Sequence, residues 1–145
     1  KAKAALAKVS NKNSKYYYNN AGVIALREKD FKKASEMFAK SDLKISKQNT
    51  AIIDIFQGRY KDAVAKLAGT GDSNEGLAYI LTNQLDKALP VITHDCPHAA
   101  YMRAIVYARK GEMIEVAKQL TKVYENDNFR KRSEKDIEFA RFRQQ

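Results

Sequence analysis

Small and bulky apolar residues recur along this chain at helical spacing, and they do so four times. From residue 16 to residue 41, Tyr18, Gly22 and Ala25 lie on one stripe of a helix, and Phe31, Ala34 and Phe38 lie at i, i+3 and i+7 on the next. Lys29-Asp30 marks the turn between them. The second unit repeats the order with Ala51, a turn at Gly58-Arg59, then Tyr60, Ala63 and Leu67. The third has Gly76 and Tyr79, a turn at Asn83, then Leu85, Ala88 and Ile92. The fourth has Ala104 and Tyr107, a turn at Gly111, then Met113, Val116 and Leu120. Small residues let two helices approach closely, so the pattern predicts an all-α chain of antiparallel hairpins over 16–41, 46–68, 73–95 and 98–124.

Other segments fit the same plan. Residues 1–9 read as a short Ala-rich helix with Ala2, Ala5 and Leu6 on one side, like the second helix of a truncated hairpin covering the end of the array. Asp72 and Glu75 have the spacing of a capping box after Gly69-Thr70-Gly71, which makes this the sharpest interior joint. Pro90 removes a backbone donor inside the third hairpin and predicts a kink or a late helix start. Cys96-Pro97 and Asn126-Asp127-Asn128 mark further joints. Ser133 is expected to cap a last helix from Glu134 to about Arg143, within a C-terminal cap over 129–143.

The order Gly22, Ala25, Phe31, Ala34, Phe38 and its three echoes resembles the tetratricopeptide repeat (TPR) family, over roughly Tyr16 to Tyr124. The resemblance implies a right-handed α-solenoid of antiparallel helical hairpins with helical caps, one domain spanning 1–145. It further implies a non-catalytic scaffold that holds a peptide or helix of another protein, or that serves as a spacer in a larger assembly. Ala34, Ala63, Ala88 and Val116 are 29, 25 and 28 residues apart, short of the family's about 34, so the superhelix is expected to be tight. Shortened repeats followed by a segment like Glu134–Phe139 are also similar to multi-repeat proteins of the bacterial cell envelope. That likeness favours periplasm or envelope over cytoplasm.

In such a stack the first helices line the concave face, and positions one and four after the small residue point into it. These are Val23 and Leu26, Ile52 and Ile55, Leu77 and Ile80, Ile105 and Ala108, with Asn19, Phe56, Leu81, Tyr101 and Arg109 alongside. Two readings of this apolar stripe stay open: a core formed by tightly curled inner helices, or a groove for an apolar peptide or helix. The family mode that grips an acidic C-terminus with Lys and Asn is not expected, because Val23, Leu26, Leu77 and Ile80 stand on that face.

Composition alters this picture little. The chain begins at Lys1 without Met and shows no membrane-length apolar run, which suggests a soluble piece of a longer or processed protein. The net charge of +10 raises the alternative of a basic, nucleic-acid-binding helical domain. Five Lys in residues 1–15 and a net +3 in residues 129–145 leave the repeats nearly balanced, so a basic groove tracking a phosphate backbone is not expected. His94, Asp95, Cys96 and His98 cluster, yet their spacing matches no structural zinc pattern; no metal, cofactor or catalytic residue is assigned.

Overall fold

The computed structural model describes every residue from Lys1 to Gln145 and is helical throughout, with no strand. The chain divides into two compact units, Lys1–Asp72 and Ser73–Gln145, and the division falls at the joint that Gly69-Thr70-Gly71 marks in the sequence. The first holds α1 (Ala2–Ala7), α2 (Lys15–Arg27), α3 (Phe31–Ser41), α4 (Lys44–Phe56) and α5 (Tyr60–Leu67). The second holds α6 (Glu75–Leu81), α7 (Leu85–Val91), α8 (Pro97–Lys110), α9 (Met113–Val123) and α10 (Asp127–Ser133). It ends in a 3-10 turn (Ile137–Phe139) that runs into α11 (Ala140–Arg143). Within each unit helices pack on their neighbours in chain order, chiefly α2 on α3 and α4 on α5, then α6 on α7 and α8 on α9. No helix is long and apolar enough to cross a membrane.

The four hairpins share one turn. Lys29, Gly58, Asn83 and Gly111 each follow a first helix in the left-handed region, at φ 60, 76, 57 and 79°. The next residue then donates its N–H to the carbonyl five residues back: Asp30 to Ala25, Arg59 to Asp54, Gln84 to Tyr79 and Glu112 to Tyr107, at 2.8 to 2.9 Å. The left-handed residue itself donates three residues back, to Leu26, Ile55, Ile80 and Ala108. Together these bonds are the Schellman motif, which satisfies the carbonyls that a helix end leaves open and reverses the chain.

A fixed crossing accompanies each turn. The small residue of the first helix (Gly22, Ala51, Gly76, Ala104) is buried, as is the residue twelve positions on (Ala34, Ala63, Ala88, Val116), each of which is 0% exposed. Four positions further comes a buried large residue, Phe38, Leu67, Ile92 or Leu120. A Cβ added at Gly22 would lie 2.5 Å from Phe38 Cε1, and one at Gly76 would lie 2.4 Å from Ile92 Cγ1. Glycine at these two positions is therefore dictated by contact, since its backbone is ordinary helix.

Local chemistry starts the helices. Ser14 accepts from Tyr17 N–H at 3.0 Å to cap α2, and Asp30 accepts from Lys33 N–H at 3.1 Å to cap α3. Cys96 occupies the cap position of α8 with Pro97 just inside, where a missing donor costs nothing. Three details differ from the sequence expectation. α6 begins at Glu75 with Asn74 in the cap position, later than the capping-box spacing places it. α7 starts on time at Leu85 and runs to Val91 with Pro90 inside it, so the proline does not delay its start. Ser133 is the last residue of α10, its hydroxyl donating to Arg130 O, while Asp136 accepts from Glu138 N–H to start the 3-10 turn. The single helix expected from Glu134 is broken because Arg143 donates to both Ser133 O and Asp136 O and holds the bend.

The crossing and the turn respond in opposite directions to substitution. Gly22→Ala gains about 1 kcal/mol of helix propensity but overpacks against Phe38 at a cost of about 1–3 kcal/mol, so urea unfolding should show a net loss. Lys29→Gly removes a strained left-handed side chain and should raise stability by about 0.5–1 kcal/mol in the same assay.

Candidate functional site

In the first unit, the inner-face positions have three fates. Leu26 is 8% exposed and joins Ala25, Ala34, Phe38 and Ile53 in the core, with Val23 and Ile52 packed on its edge. Asn19 is engaged in a polar node between α2 and α4. Its Oδ1 accepts from Asn49 Nδ2 at 3.2 Å and lies 2.9 Å from Ser46 Oγ; Ser41 Oγ, 2.7 Å from Ser46, donates to Lys15 O. Ile55 is half-buried and Phe56 is 58% exposed; the Phe56 ring lies 5.7 Å from that of Phe31.

Below Phe56 the second hairpin is locked by charge. Asp54, 3% exposed, takes Arg59 Nη2 at 2.6 Å on one oxygen and Lys66 Nζ at 2.6 Å on the other. One carboxylate thus ties the turn and α5 to α4, a buried charge with both oxygens paired.

In the second unit the chain's own C-terminal segment covers the equivalent positions of α8. Tyr101, 4% exposed, packs edge-on to Phe139 at 5.5 Å and beside Phe129 at 5.9 Å, under the Arg132 guanidinium. Its hydroxyl donates to Asp136 Oδ2 at 2.6 Å. Burial, followed by that bond and the Asp136 charge, pushes the phenol well above its ordinary range. Arg109 forks onto Glu138, donating from Nε to both carboxylate oxygens at 3.1 Å, and its Nη1 donates to Ile80 O at 2.9 Å. The bond to Glu138 leads in raising the guanidinium pKa. Ile105 and Ala108 pack at the edge of this cluster, and Ile80 is buried. Leu77 and Leu81 stay half-buried on α6. Tyr101 and Ile80 are therefore buried within the second unit, while Arg109 is exposed and tied to the C-terminal segment through Glu138.

The structure brings together a surface that the inner-face reasoning does not single out. Ala2, Ala5, Leu6 and Val9 of the N-terminal segment face Asn20, Val23, Ile24 and Arg27 of α2 across an open groove of about 350 Å³. Of these only Val23 belongs to the expected inner face. The signal was present as two i, i+3, i+4, i+7 stripes, one at 2, 5, 6 and 9 and one at 20, 23, 24 and 27.

The His94–His98 segment has a structural account. Cys96 Sγ accepts from Ala99 N–H at 3.5 Å as the α8 cap, the His98 ring lies 5.9 Å from Phe129, and no group of three or more His, Cys, Asp or Glu is placed to hold an ion. Scans of protein-family models, curated proteins and solved structures give no match to this chain.

The raised Tyr101 pKa sets a sign for alkaline unfolding. Below about pH 10 the phenol is protonated in both states; above it the unfolded chain loses the proton first, so stability falls as pH rises. Tyr101→Phe should flatten that part of the decline in chemical denaturation above about pH 10, and cost about 1 kcal/mol at neutral pH for the lost bond to Asp136.

Proposed function

We propose that this chain is a non-catalytic protein-interaction module of tetratricopeptide type, a right-handed solenoid of shortened hairpins whose inner surface on α2 and α4 holds a helix or peptide of a partner protein. One observation carries the reading: the four hairpins repeat both turn and crossing position for position, from Lys29 and Gly22 to Gly111 and Ala104. A chain built from one repeated unit gains extended surface, and its function then rests on what that surface contacts.

Further support comes from what the core leaves over. Ile55 and Phe56 present apolar surface at the end of α4, next to an intact core and a fully paired Asp54. An aromatic ring left 58% exposed beside half-buried neighbours fits an anchor for an incoming apolar side chain. On α8 the same face meets the C-terminal segment, which supports assigning binding to the first unit.

The test is selection of helix-forming peptides from a displayed library on the intact chain. Enriched peptides should lose affinity by about tenfold or more on Phe56→Glu, with a cooperative melt retained. Enrichment of nothing, or binding indifferent to both Phe56→Glu and Ile55→Glu, would overturn the reading. Steeply salt-dependent binding of a random-sequence oligonucleotide with no peptide binding would do so too, in favour of a basic nucleic-acid module.

A further inference from the structure

The groove between α1 and α2 has an internal counterpart that is filled over three of its four positions. Shifting by the 29 residues that separate Ala34 from Ala63 carries Asn20, Val23, Ile24 and Arg27 of α2 onto Asn49, Ile52, Ile53 and Phe56 of α4. In α4 the first three of those positions meet α2 and α3, while the fourth, Phe56, stays 58% exposed. Asn49 Nδ2 donates to Asn19 of α2 at 3.2 Å, Ile53 is 2% exposed within the core that α2 and α3 supply, and Ile52 packs at its edge. The corresponding side chains of α2 line an open groove instead, with Asn20 and Arg27 exposed and Val23 and Ile24 half-buried. Opposite them, α1 buries none of its residues completely, and Val9 beyond it is 39% exposed. The shape of the groove is thus that of a helix seat, by the same packing the chain uses one hairpin later.

Charge selects the kind of helix. Arg27 stands in the groove with no acidic partner, since the neighbouring Glu28 is engaged by Lys3 at 3.0 Å. Residues 1–15 contribute five Lys and no acid. The position equivalent to Arg27 is the apolar Phe56, so the guanidinium at this one position is a departure that favours a carboxylate on the incoming face.

We propose that the α1–α2 groove is a docking site for an acidic amphipathic helix of a partner protein. The apolar face of that helix packs on Leu6, Val9, Val23 and Ile24, a polar side chain meets Asn20, and flanking carboxylates meet Arg27 and the N-terminal lysines. This rests on the reading of the chain as a helix-holding module and names the site and chemistry of one ligand.

The experiment uses the intact chain and two labelled synthetic helices with the same leucine face, one flanked by Glu and the other by Lys, read by fluorescence anisotropy. The Glu-flanked helix should bind about tenfold or more tightly than its Lys-flanked counterpart, and Arg27→Glu should reverse the preference. Val9→Asp should weaken both; Arg27 and Val9 are solvent-exposed, so circular dichroism should report an unchanged fold. Equal binding of both helices, or binding that survives Arg27→Glu and Val9→Asp, overturns the proposal. So does a dimer in sedimentation that Val9→Asp abolishes while the Glu-flanked helix fails to bind, because a second copy then fills the groove. If library-selected peptides still bind through Phe56 while the Glu-flanked helix does not, the groove assignment fails and the interaction-module reading stands.

Discussion

The close approach of two helices at a pair of small residues is the constraint from which the rest follows. Where Gly22 lies under Phe38 and Gly76 under Ile92, there is no room for even one further carbon. The partner residues Ala34, Ala63, Ala88 and Val116 are closed to solvent completely, so each hairpin fixes its own interaxial distance before any neighbour is added. A larger residue at the crossing would drive the helices apart and misplace the following buried side chain, Phe38, Leu67, Ile92 or Leu120.

Apolar packing of this kind is not directional, and polar contacts supply the specificity between hairpins. Asn19, Ser41, Ser46 and Asn49 join α2, α3 and α4 through hydrogen bonds of 2.7 to 3.2 Å. Asp54 does the same for α4 and the short α5, whose eight residues bury only Ala63 and Leu67. In the second unit Arg103 takes this role, reaching Ile92 O and His94 O at 2.8 and 2.9 Å while its Nε bonds Gln119. Each such contact is worth about 1 kcal/mol net, but leaving its buried partner unpaired costs more, so these contacts penalise misregistered packing.

The helices and their turns were legible in the sequence because both depend on local rules. The turns at Lys29-Asp30, Gly58-Arg59, Asn83 and Gly111 stand where the small-residue pattern places them. The C-terminal segment was less legible, since its break depends on Arg143 reaching back to two carbonyls, a contact that spacing does not encode. Among the candidate site residues, a helical stripe names which side chains share a face but not what lies opposite. Tyr101 and Arg109 share such a face, and only the structure shows Phe139 and Glu138 against it. Asn20 and Arg27 line the groove beside α1, yet in the sequence, as polar ends of a partly apolar stripe, they look like ordinary solvated positions.

The shared turn has a bearing on how such a chain can change over time. Its closing bonds run between main-chain atoms of a single hairpin, and the one demanding position tolerates lysine and asparagine as well as glycine. Side chains on the outer surface are then at liberty to drift without rerouting the polypeptide, and a whole hairpin can be duplicated or lost as a cassette. Change on these terms rewrites the letters of the sequence before it alters the path of the backbone.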